Sequence, residues 1–158
     1  MSKKNKMSQI QDLVALISLV LDIKPPKIID ASRFRQKIEG VSETTLAVLS
    51  PDGEEMYLFK THDIWDSYFA VAHELRHAWQ LKFVPKMFNE YLQPGKLDKE
   101  AYVLQPAELD ANAFATFVMI DLFSRKPLFY GLSEEIKNKI YQKADEIAAE
   151  IKRNCEND

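Results

Sequence analysis

Residues 73–77 read His-Glu-Leu-Arg-His, and no other stretch constrains the chain as much. Two histidines four positions apart share one face of a helix, one turn from each other. The flanking sequence agrees with a helix over about 62–83, with Thr61 or Asp63 as its N-cap. Phe69, Ala72, Leu75, Trp79 and Phe83 recur along it as an apolar stripe, so the reading puts one side in a core and turns the imidazoles elsewhere.

On one face, two imidazole nitrogens can each reach a single metal ion at about 2.0–2.1 Å. Glu74 then lies beside the ion, where a carboxylate takes a proton from activated water. This is the H-E-x-x-H pattern of zinc hydrolases. A catalytic zinc needs a third protein ligand and one open position. The chain has three histidines, and the third, His62, lies eleven residues before His73, about 16 Å away along an unbroken helix. The third ligand is therefore expected to be an acid. Glu108 is the best placed, in the first turn of a helix that begins at Pro106. Taken alone, Glu108 reads more simply as an acid complementing that helix's positive end; the H-E-x-x-H is what favours a ligand. Asn112 follows it on the same face and is positioned to hydrogen-bond a ligand. Asp110 is turned away by about 200° of helix rotation. Tyr91 and Tyr102 fall in an irregular stretch, 84–105, and are candidates for stabilising an oxyanion or donating a proton, with packing as the plainer role.

The remaining elements assemble around these. Ser8 and Gln11 suggest a capping box for a first helix carrying Ile10, Leu13, Val14, Ile17 and Leu21 on one side. Its apolar run, 13–21, follows the basic KKNK of residues 3–6, yet it lacks a small-x-small cleavage site and is too short to span a membrane. A flexible basic tail over 1–7 and a buried helix are expected instead. Pro25 and Pro26 break that helix ahead of a short apolar run with strand character. Residues 44–60 read as a β-hairpin closed by Ser-Pro-Asp-Gly. Ser133 caps a last helix whose face is Ile136, Ile140, Ala144, Ile147 and Ile151. The expected fold class is α+β in one domain over 1–158: a small antiparallel or mixed sheet on the 62–83 helix, a glutamate helix over about 106–124, and helices at both ends.

Composition adds exclusions. The net charge of −3 gives no basic footprint for nucleic acid. The single cysteine, Cys155, rules out an internal disulfide and a thiolate zinc site, and reads as an exposed tail thiol. With no membrane segment, a cytoplasmic location is expected.

Two stretches taken together, AHELRHAWQ and PAELDANAFATFVM, resemble gluzincin-type metallopeptidases, in particular the small ImmA/IrrE-like and minigluzincin groups. Their second helix carries E-x-E-A-N-x-F-A; here Asp110 stands for the second glutamate. The resemblance implies a zincin-like fold, Zn2+ held by His73, His77 and Glu108, Glu74 as general base, and a protein or peptide substrate. Three features depart from the pattern. Arg76 stands where a glycine is common, VMIDLF replaces the methionine-proline that often closes the second motif, and no helix-turn-helix accompanies it. A repressor-cleaving role is therefore not carried over. A small phage or mobile-element peptidase is the expectation, with a zinc-binding but inactive adaptor of the same fold as the alternative.

Overall fold

The computed structural model describes residues 5–38, 41, 42, 44–60 and 63–157. The fold is α+β, and the chain divides into two compact units, Met1–Phe83 and Val84–Asp158.

The first unit opens with helix α1, Lys6–Leu21. Its N-cap is Asn5, whose side-chain oxygen accepts the Ser8 N–H at 2.7 Å. Ser8 is thus inside the helix, where the expected Ser8–Gln11 box would have made it the cap. Lys6 and Met7, expected in the basic tail, form part of its first turn. Ile10, Leu13, Val14, Ile17 and Leu21 are all buried, the face the spacing predicts. The helix ends ahead of the prolines, on Asp22 in the left-handed region, whose N–H bonds back to Ser18 and Leu19 carbonyls.

Strand β1, Lys27–Asp30, follows, then a 3₁₀ segment over Ser32–Lys37. Strands β2, Ala47–Leu49, and β3, Glu55–Leu58, form the expected hairpin. The Ser50 carbonyl accepts the Gly53 N–H at 2.9 Å, closing the turn, and Gly53 has φ +74°, a conformation glycine adopts at little cost. Asp52 braces the turn by accepting from Ser50 Oγ and the Glu54 N–H. The hairpin is extended by β1, which pairs parallel to β3, so the sheet is mixed with order β1-β3-β2. The pairs Ala47–Leu58 and Leu49–Met56 are opposite each other, and Met56 and Leu58 are buried.

Helix α2, Ile64–Phe83, packs against α1 and against β2. The expected cap Thr61 and the third histidine, His62, lie outside the described residues. Asp63 accepts the Trp65 N–H at 2.9 Å, as a capping side chain does. The buried face differs from the expected stripe. It is made of Tyr68, Val71, Ala72 and Leu75, with Arg76 and Gln80 buried as well, whereas Trp79 is half-buried and Phe83 is 45% exposed. The large aromatics sit at the margin because their area tolerates partial exposure. Close contact with α1 and the sheet selects the smaller side chains.

The second unit replaces the expected irregular stretch with two short elements: a 3₁₀ turn, Pro85–Phe88, and helix α3, Lys99–Val103, capped by Asp98. Helix α4, Pro106–Phe123, starts on the predicted proline. Helix α5, Glu134–Glu156, is capped by Ser133 and packs on α4 through Ile136, Ile140, Ala144 and Ile147. Ile151, at the end of the expected face, is half-buried, and Cys155 is exposed in the last turn of α5. Among the described residues, no helix is long and apolar enough to cross a membrane.

Ile140 is fully buried, so Ile140→Ala should lower unfolding stability by about 2–5 kcal/mol through lost contacts and a cavity. Leu19→Ala, at a site 79% exposed, should change it by under about 0.5 kcal/mol. Urea unfolding of both variants checks the contrast.

Candidate metal centre

Helical spacing brings the two imidazoles of α2 together. The Nε2 atoms of His73 and His77 are 3.1 Å apart, and the rings meet nearly edge to face at 86°. Two nitrogens bound to one tetrahedral ion at about 2.05 Å stand about 3.3 Å apart, so this separation is close to that of a chelating pair. Behind His77, its Nδ1–H donates to Gln80 Oε1 at 2.8 Å, and Gln80 is fully buried. The sequence reading passed over Gln80. Its signal was a lone uncharged amide three residues after a histidine, in a stretch otherwise apolar or basic.

Glu74 projects from the next position of α2 and is half-buried. Its Oε2 accepts the Leu49 N–H at 3.3 Å, which links the carboxylate to strand β2. Arg76, left unexplained by the motif, is 5% exposed, with its guanidinium 3.6 Å from the centroid of the Trp79 ring. That is a cation–π contact along the helix, and it gives the residue a packing role that glycine could not fill.

In the second unit, Glu108 is 4% exposed at the start of α4. Its Oε1 accepts two phenols, Tyr91 Oη at 2.6 Å and Tyr102 Oη at 2.9 Å, and the phenol oxygens are 2.6 Å apart. Burial, followed by the bonds to Glu108 and Tyr102, pushes the Tyr91 hydroxyl far above its ordinary value, so it stays protonated and donates. Gln105, the residue before α4, fixes the Tyr91 loop: its side-chain amide donates to the Leu92 carbonyl and accepts the Leu92 N–H. The two tyrosines considered as oxyanion donors are thus bonded to the carboxylate itself. Asn112 is half-buried one turn beyond Glu108, and Asp110 is 2% exposed.

His73, His77 and Glu108 each offer one ligand atom, and these atoms lie within 4.8 Å of one another. Among the described residues, this is the group of histidines and acids that could hold a metal ion. Two imidazoles and a carboxylate suit a borderline divalent cation. No protein-family model, characterised protein or solved structure matches the chain.

A carboxylate that accepts two buried donors loses more than a neutral acceptor when one is removed. Tyr91→Phe or Tyr102→Phe should each cost about 1.5–3 kcal/mol. Because both phenols serve one oxygen, the double variant should depart from the sum of the singles by at least about 0.5 kcal/mol. Urea denaturation of the four proteins measures that departure.

Proposed function

We propose that this protein is a zinc-dependent metallopeptidase of zincin-like fold, with His73, His77 and Glu108 holding the ion and Glu74 as general base. The observation that carries the reading is the grouping of those three donors with Glu74 adjacent to the first. The donor set fits zinc: two neutral imidazoles and one carboxylate leave a tetrahedral ion one open position. Bound zinc supplies a Lewis acid that polarises a carbonyl and brings the pKa of water down to about 7.

The chain's own residues do the rest. Glu74 accepts a proton as water attacks the carbonyl carbon of the scissile bond, then returns it to the leaving amine as the C–N bond breaks. Tyr91 and Tyr102 hold the Glu108 carboxylate in place. An extended peptide would add to the sheet at strand β2, the edge that packs on α2. A cytoplasmic peptide or protein is the proposed substrate.

One observation favours a second reading. The Leu49 N–H bond gives the Glu74 carboxylate structural work, which a zinc-binding adaptor without activity would also retain. Glu74→Gln separates the two, since the substituted amide still offers an oxygen to Leu49. In the peptidase, zinc stoichiometry is unchanged and cleavage of a peptide library falls by about 10²–10⁴-fold. If wild type and variant cleave nothing while both bind zinc, the adaptor reading stands.

A further inference from the structure

We infer that Gln80 is a positioning residue for the metal: its buried amide oxygen holds His77 in the Nδ1–H tautomer and so keeps Nε2 as the ligating nitrogen. The inference rests on the proposed metal site but concerns a residue outside the ligand set.

Three facts carry it. Gln80 Oε1 has only lone pairs to offer, so the 2.8 Å contact requires the proton to be on His77 Nδ1. A neutral imidazole has one N–H, so Nε2 must then carry the lone pair. That lone pair faces the correct place, 3.1 Å from His73 Nε2, where an ion shared by the two rings would sit. In the ion-free protein the same 3.1 Å contact is satisfied when His73 Nε2–H donates to His77 Nε2, and ligation through His73 Nε2 would then place that ring's one proton on Nδ1.

Burial strengthens the case. Gln80 is 0% exposed, and helix rotation puts it on the side of α2 that carries His77, about 180° from Val71. An amide there, where an aliphatic side chain would pack without a polar partner, is best accounted for by what it bonds. Its distance along the helix matters too. Three residues beyond His77 is less than one turn, so the two side chains are neighbours by helical geometry alone. The bond is therefore built into α2 and needs no other element to place it.

The test uses the full chain with three proteins: wild type, Gln80→Met, which keeps length and removes the acceptor, and Gln80→Glu, which restores it. Zinc affinity is measured by competition with a chromophoric chelator. Gln80→Met should bind about 10–100-fold more weakly, and Gln80→Glu should match or exceed wild type. The histidine tautomer is read by ¹⁵N NMR of the zinc-free protein: Nδ1–H at His77 in wild type, and a mixture in Gln80→Met. Circular dichroism melting shows whether each variant is folded.

The inference is overturned if folded Gln80→Met binds zinc like wild type, if folded Gln80→Glu is as weak as Gln80→Met, or if wild-type His77 carries its proton on Nε2. Wild-type protein that takes up no zinc overturns the metal reading itself. The NMR spectrum then decides the tautomer separately, an Nδ1–H signal supporting the role of Gln80 and an Nε2–H signal ending it.

Discussion

Helix α2 has to satisfy two environments at once, and the first unit is arranged around how it does so. The helix packs against α1 and strand β2, and Val71, Ala72 and Leu75 are buried along it. Burial of those residues fixes the helix's rotation about its own axis. Once the rotation is fixed, the 3.6-residue repeat leaves no freedom in where positions 73, 74 and 77 point. The imidazole pair, the carboxylate next to it and the amide behind it are therefore consequences of apolar packing on the other side of the same helix.

The polar groups around the ligands show a common design. Two of the proposed ligands bond to neutral groups: His77 to the Gln80 amide, and Glu108 to two phenols. Neutral partners orient without adding a buried charge whose desolvation would have to be offset. Arg76, the one cation buried on this stretch of α2, is turned onto the Trp79 ring, where its charge is met by π-electron density.

Much of this was legible in the amino-acid sequence, and the parts that were not have physical reasons. His73 and His77 could be paired because helical spacing is a local signal, and the start of α4 could be placed because a proline at N1 is another. The hairpin was legible because Ser-Pro-Asp-Gly encodes its own geometry. The start of α1 was misjudged by three residues because Asn5 and Ser8 both have capping side chains, and only the backbone decides which one accepts the N–H. On α2 the expected stripe holds at Ala72 and Leu75, which are buried, and departs at Trp79 and Phe83, because large aromatics dominate any count of apolar character while the buried face also takes in Val71. The roles of Tyr91 and Tyr102 depended on where the 84–105 segment folds. Helix α3 has five residues, too few to be stable by propensity, so it forms through contacts that sequence spacing does not display.

The Glu74–Leu49 bond also bears on the hairpin turn. Surface turns are usually where chains accept insertions and deletions freely. Here the turn sets which backbone amide of β2 stands opposite Glu74. Slipping the β2–β3 pairing by one residue would reverse the faces of the strand and withdraw the Leu49 amide. The length of Ser50–Glu54, although solvent-facing, is in effect a ruler for the site. Length variation should be scarcer there than in the segment joining α4 to α5, even if the residues themselves vary.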